Sequence, residues 1–346
     1  MNRALAFLIS LTCLAAFADV TVDPVTRYFN ISYPVPADAP DVVSVNCSWS
    51  PVDANDWKPA RVTPFVSETA LAMASDSDWT DWANGRILER NAAGLTRTLV
   101  FNPYPEAQPD GQVNVDFRII LRNADGAELA SSVRRLQADN RDVVYLEDWT
   151  RVFQADVLAK DADPGPGKWW VRSGLPGDSP QTAGNDLLGR PADANTPLPQ
   201  LTYPLDLKGA YAIFGCTLGR NGILLRLSGD ERADPIGSSH DREEVLWNWR
   251  TMDRQHLVLR NGHGYTGYST AELDYIKLVP LSPELREKLD GQFGTVDKIV
   301  AGYWEPYSWA FVENVQDTLQ HRAVLTAFQD ARVHFIDTQL GRFGMK

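Results

Sequence analysis

Val113-Asn114-Val115-Asp116-Phe117-Arg118-Ile119 decides the fold class. Successive side chains of a strand point to opposite faces, so Val113, Val115, Phe117 and Ile119 share one face while Asn114, Asp116 and Arg118 share the other. A strand patterned this way is half-buried, one face in a core and the other in water. Asn123-Ala124-Asp125-Gly126 then turns the chain back through Ala127–Leu136 as a hairpin. Outward from it, Tyr28–Tyr33, Val42–Trp49 and Thr96–Phe101 are further short runs of β-branched and aromatic residues, broken by Pro, Gly, Asn and Asp. That grammar is mainly β.

Residues 19–138 resemble an immunoglobulin or fibronectin type III β-sandwich, without its inter-sheet disulfide pattern. The polar stretch Gln137–Asp142 reads as a linker to a second β-rich region, residues 142–281. Its strand candidates are Val143–Glu147, Val152–Leu158, Lys168–Arg172, Ala210–Leu218, Gly222–Leu227, Val245–Arg250, His256–Arg260 and Asp274–Val279. So many short strands suggest a jelly roll. The Pro, Gly, Asp and Asn content of Ser173–Pro199 predicts a long loop. At Ser282-Pro283 an N-cap and a first-turn proline open a helix, and the class changes to α/β. Val296–Tyr303 and Val333–Thr338 read as buried strands around a helix at Thr318–Ala331, one βαβ segment across residues 282–346. The expected fold is therefore two tandem β-sandwich domains followed by a short, incomplete α/β segment.

The start of the chain reads as a secretory signal peptide over residues 1–18: positive Arg3, apolar Ala4–Phe17, and the small-x-small end Ala16-Phe17-Ala18. The mature protein then begins at Asp19 and is secreted, extracellular or periplasmic. No later stretch approaches the apolar length of a transmembrane helix. With 33 Lys and Arg against 45 Asp and Glu the net charge is −12, which disfavours nucleic acid or an anionic membrane as partner. Past the leader only Cys47 and Cys216 remain, each inside a strand-like run, so both are expected to be buried small hydrophobes rather than a disulfide framework.

Gly262-His263-Gly264-Tyr265-Thr266-Gly267 spells GxGxxG, but both flanks read as strands, so no helix N-terminus waits for a pyrophosphate. The glycines fit a loop that exposes Tyr265 and Tyr268. With the following Ala271–Leu278, this stretch resembles the closing strand of jelly-roll carbohydrate-binding modules, which an aromatic-bearing loop precedes. Sugars offer apolar C–H faces and hydroxyl rims, so a sugar site pairs flat aromatic rings with a few polar partners. Candidate platforms are Trp169, Trp170, Trp247, Trp249, Tyr265 and Tyr268. Trp247 and Trp249 share a strand face with Val245, for which core packing competes. Trp169 and Trp170 are adjacent and point to opposite faces, so one of them is expected outside the core.

Calcium is the one cofactor to weigh, because Asp161, Asp163, Asp178, Asp186 and Asp193 crowd the loops of the second region. They lack EF-hand spacing, and turn use competes. His240, His256, His263, His321 and His334 show no zinc-ligand spacing, so no metal site is assigned. Nor is there a GxSxG elbow.

Tyr303-Trp304-Glu305-Pro306 follows the first buried strand of the tail and Asp337–Arg342 ends the second. Two β-sandwich modules leading into barrel-like strands are similar to secreted multidomain glycoside hydrolases. That resemblance would place Glu305, Asp337 and Arg342 on a catalytic face, since barrel active sites lie past the strands' C-terminal ends. Only residues 283–346 follow the β region, whereas a barrel takes about 250 residues. The tail therefore needs a partner or a further C-terminal region to be complete. The expected function is a carbohydrate-binding accessory region, with a polysaccharide or other glycan as partner, not catalytic by itself. A cell-surface protein-interaction or adhesion protein is the alternative.

Overall fold

The computed structural model describes residues 19–65, 76–104, 107–108, 110–152, 157–158, 165–173, 185–190, 198–217, 223–230, 234–236, 244–261 and 271–287. The first part runs β1 (Asp19–Val22), β2 (Phe29–Pro34), β3 (Val42–Pro51), β4 (Lys58–Pro59), β5 (Val62–Pro64), helix α1 (Asp76–Ala83), β6 (Arg86–Arg90), β7 (Thr96–Phe101), β8 (Gln112–Arg122) and β9 (Glu128–Asp139). These strands make two antiparallel sheets, β1-β2-β7-β5 and β4-β3-β8-β9, with β6 also paired to β3.

The alternation in β8 is what joins the two sheets. Val113, Val115, Phe117, Ile119 and Leu121 are all buried, and they meet Phe29, Ile31, Leu99 and Phe101 of the other sheet in one core. Phe117 lies against Phe101 with ring centroids 4.8 Å apart. Each such side chain contributes roughly 1.5–3 kcal/mol by leaving water. The polar face of the same strand, with Arg118 and Arg122, stays outside.

The second part comprises β10 (Val144–Leu146), a 3-10 turn (Trp149–Arg151), β11 (Val157–Leu158), β12 (Lys168–Ser173), β13 (Asn185–Arg190), β14 (Leu201–Tyr203), β15 (Lys208–Thr217), β16 (Ile223–Leu227), β17 (Asp234–Ile236), β18 (Glu244–Asp253), β19 (Leu257–Asn261) and β20 (Ala271–Pro280). One sheet has the order β11-β12-β13-β20-β15-β18, with β10 also on β20; the other is β14-β19-β16-β17. Trp169, Val171, Leu187, Ile213, Ile276 and Leu278 of the first sheet share a core with Leu201, Tyr203, Ile223, Leu225, Leu257 and Leu259 of the second. Among the described residues the β11–β12 pair is parallel and every other pair antiparallel. The protein is mainly β, as its sequence indicates.

Three local readings change. The expected loop Ser173–Pro199 contains a strand, β13, because Leu187 and Leu188 are buried and Gly189 leaves room for the Trp169 ring; a Cβ there would sit 2.5 Å from that ring. The expected linker is held rather than loose: Gln137–Asp139 belongs to β9, while the Asn140 backbone N–H donates to Gly111 O (2.7 Å) and its side-chain amide to Gln108 Oε1 (2.8 Å). Trp247 and Trp249 do not share a face, because the β15–β18 register shifts beside Ile213. Trp247 packs toward the second core, and Trp249 packs with Val25, Val143, Phe214 and Leu281 on the opposite side of the sheet.

Ser282 caps the short helix 283–287: its Oγ accepts from Leu285 N at 3.2 Å and its carbonyl from Arg286 N at 2.9 Å. The leader (1–18) and the readings for Val296–Tyr303, Thr318–Ala331 and Val333–Thr338 lie outside the described residues.

Gly85 ends α1 with a left-handed backbone (φ +76°), and a Cβ there would fall 2.2 Å from the Cys47 carbonyl oxygen. Gly126 has a similar φ (+82°) but open space around it. Gly126→Ala is expected to cost about 1–3 kcal/mol through backbone strain alone. Gly85→Ala should cost clearly more, because the β3 backbone must also move. Urea unfolding of the two variants makes the comparison, and equal losses would contradict this packing.

Candidate functional site

Two places gather polar side chains, and they differ in access. The first lies between the two parts of the protein. β20 is buried from Leu273 to Val279; Leu273, Ile276 and Leu278 enter the second core, and Val279 packs on the opposite side with Val25. Lys277 also lies on that opposite side, fully buried, ion-paired with the nearly buried Glu244. Its Nζ donates to Glu244 Oε1 and, at 2.9 Å, to the Thr26 carbonyl, and it stands 4.4 Å from the ring centroids of both Tyr28 and Phe214.

The local sequence explains the Thr26 carbonyl. Asp23 folds the β1–β2 loop by accepting from Val25 N (2.9 Å), Thr26 N (2.6 Å) and Thr26 Oγ1 (3.0 Å), an Asx-type turn. Glu244 is shared further, accepting from the Tyr28 hydroxyl and, at 2.8 Å, from the Tyr275 hydroxyl. Around this pair, Tyr104 stacks on Tyr145 (centroids 3.8 Å apart, 6° between planes), and the Tyr104 hydroxyl donates to Glu147 at 2.5 Å. Arg27 meets Asp142 at 2.8 Å at the rim.

Burial pushes the phenol pKa of Tyr28, Tyr145 and Tyr275 well above 10.0, and the Glu244 charge adds to it. Burial pulls Lys277 below 10.5 against the attraction of Glu244. Perturbed groups of this kind often mark active sites. Here Lys277 and Glu244 are enclosed by both parts of the protein, at 0% and 3% exposure, so a macromolecular ligand cannot reach them. The arrangement fastens one part to the other.

The second place is an open groove of about 330 Å³ on the outer face of the β4-β3-β8-β9 sheet. Asn46, Ser48, Trp57, Lys58, Asn84, Gly85, Arg118, Ile120 and Arg122 are among its lining residues. β3 and β8 place Ser48 opposite Arg118 and Asn46 opposite Ile120 in register. Arg118 Nε donates to Ser48 Oγ at 3.2 Å, and its guanidinium carbon lies 4.1 Å from the Trp57 ring centroid. The Asn84 amide donates to Thr80 O at 2.8 Å, which fixes that side chain at the helix end. The result is a half-buried indole bordered by amides, a hydroxyl and cations.

None of the described sugar platforms read from the sequence, Trp169, Trp170, Trp247 and Trp249, is among the lining residues of this groove. Trp169 and Trp170 are both buried (0% and 6%), correcting the expectation that one lies outside the core: the Trp169 indole N–H donates to Pro199 O at 2.8 Å, and Arg190 stands over Trp170. Trp249 is buried and Trp247 half-buried against the core. Tyr265 and Tyr268 lie outside the described residues, as do Glu305, Asp337 and Arg342. Of the aspartates weighed for calcium, Asp186 is buried and accepts from Arg172 (2.9 Å), while Asp161, Asp163, Asp178 and Asp193 lie outside the described residues. Among the described residues, no group of three or more His, Cys, Asp or Glu could hold a metal ion. Cys47 and Cys216 are free and buried, and no described helix is long and apolar enough to cross a membrane.

No family model matches the chain, and no curated protein matches it. Among solved structures it is similar to the secreted serine protease VesC from Vibrio cholerae (13% identity, TM-score 0.20), covering 73% of this chain and 47% of that one. It thus spans about half the length of VesC. It is also similar to the ANXUR2 extracellular domain from Arabidopsis thaliana (10% identity, TM-score 0.22; 74% and 83% covered). A third likeness is to the plant peptide RALF23 in complex with FER and LLG2 (12% identity, TM-score 0.25; 75% and 82% covered).

Two expectations follow for the enclosed pair. Lys277→Met or Glu244→Gln alone leaves a buried partner uncompensated and should cost about 3–5 kcal/mol in urea unfolding, whereas Lys277→Met with Glu244→Leu should recover most of that loss. The tyrosines set the alkaline limit. A phenol with a raised folded pKa keeps its proton where the unfolded chain gives its up, so its contribution is whole below pH 10.0 and is lost above it. Lys277 acts the other way, its burial penalty easing as pH rises toward 10.5. One lysine is outweighed by three tyrosines, so unfolding above pH 10.0 should coincide with a step in tyrosinate absorbance; tyrosines titrating smoothly in the folded protein would contradict their burial.

Proposed function

We propose that this chain is a secreted, non-catalytic carbohydrate-binding protein that holds its ligand in the Trp57 groove. The supporting observation is the groove's composition: an indole face flanked by Asn46, Ser48, Asn84 and Arg118. An aromatic ring suits the C–H face of a pyranose, and amides, hydroxyls and guanidinium groups suit its hydroxyl rim. Arg118 and Asn84, already tied to Ser48 and to the Thr80 carbonyl, lose less freedom when a ligand arrives, which favours affinity. The leader pattern supports export. The link to a glycoside hydrolase rests on the sequence resemblance of residues outside the described structure.

Binding of the full mature chain to a polysaccharide panel tests this reading. Trp57→Ala should weaken binding about tenfold, with thermal unfolding little changed. No binding to any polysaccharide, or undiminished binding by Trp57→Ala, would overturn it. A protein ligand is the second reading, favoured by the exposed Leu88 (42%) and Val133 (54%) on strands of the same sheet. Binding that Leu88→Ser with Val133→Ser removes and Trp57→Ala leaves intact belongs to that reading.

A further inference from the structure

The groove's charge contradicts the charge of the chain. The whole protein is acidic, with a net charge of −12. Yet among the described residues the groove lining includes Lys58, Arg118 and Arg122 and no Asp or Glu. Arg118 is tied to neutral partners, the Ser48 hydroxyl and the Trp57 ring, and among the described residues it meets no carboxylate. Arg122 gives one nitrogen to the Gly126 carbonyl (2.9 Å) and stands a loose 3.8 Å from Glu128, whose side chain is 46% exposed. Asp116, further along the outer face of β8, is already engaged by Arg135 at 3.1 Å.

Of the acidic residues on β8 and β9, Asp116 is thus engaged by Arg135 and Glu128 stands loosely by Arg122, which leaves the Arg118 guanidinium beside the aromatic ring. Arg118 is held by its Nε on Ser48, and the terminal nitrogens of a guanidinium form the fork that a carboxylate or sulfate accepts in two hydrogen bonds. Resting on the glycan reading of this groove, we propose that its ligand is an acidic polysaccharide, with the pyranose ring on Trp57 and its carboxylate or sulfate on Arg118, beside Arg122. A neutral glycan offers Arg118 only hydroxyl oxygens, which make weaker hydrogen bonds than a charged acceptor. Because the cations are solvent-facing, the preference is screened by salt over a Debye length of about 10 Å at 0.1 M.

Titration calorimetry of the full mature chain with four probes tests the proposal: polygalacturonate, a sulfated galactan, a neutral galactan of matched length, and a single-stranded oligonucleotide. The expected result is that at least one acidic glycan binds about tenfold more tightly than the neutral one at low salt, with the gap closing as salt rises. Comparing the uronate and sulfate arms identifies the anion. Arg118→Gln should weaken the acidic glycan much more than the neutral one and so close most of the gap, while Trp57→Ala weakens both alike. Equal binding of acidic and neutral glycans, lost together in Trp57→Ala, would keep the glycan reading and overturn this one. Binding of no glycan overturns both. An oligonucleotide that binds as tightly as the uronate, with the same salt slope, would mark the groove as a general polyanion site and overturn the preference.

Discussion

A lysine with no exposed surface lies between the two halves of this protein, and the relation between those halves depends on its partner. Removing an ammonium and a carboxylate from water costs several kcal/mol each, and only close pairing with further hydrogen bonds offsets that. The donors and acceptors around Lys277 and Glu244 come from both parts: Thr26 and Tyr28 from the first, Glu244 and Tyr275 from the second. The pair is satisfied only when both parts are seated together. An apolar patch of the same area would tolerate sliding, whereas a buried ion pair with directed bonds specifies one orientation.

That constraint also explains why β20 reads and behaves unlike an ordinary sheet strand. Its apolar residues on one side fill the second core, while the other side, with Lys277 and Val279, has a second surface to meet. Trp169 and Trp170, neighbours on β12, are both out of solvent. In the first part the outer face of β3 and β8 stays open, and the groove lies there.

Much of the fold was legible because period-two alternation is local. Val113–Leu121, the hairpin turn at Asn123–Gly126 and the Ser282 cap each carry their signal within a few residues, and they are found where expected. What failed needed information from afar. β13 is short and sits among loop-forming residues, so its two leucines gave no period to read. A register shift moved Trp249 off the face of Trp247. The groove was hidden for a similar reason: Trp57 stands in Asn55-Asp56-Trp57-Lys58-Pro59, which has no strand pattern, and Arg118 is brought to it only by the pairing of β3 with β8. The signal available was a large aromatic in a polar turn with no apolar neighbour of its own.

The position of β20 has a mechanical side. It pairs with β15 along one edge and with β13 and β10 along the other, and it is the last strand before residue 281. A pull on the chain beyond that point acts along β20, across hydrogen bonds that lie perpendicular to it. Such bonds are loaded in shear and must give way together rather than unzip one at a time. The strand that fastens the halves to each other is therefore also the one on which a load applied to the chain after residue 281 first falls.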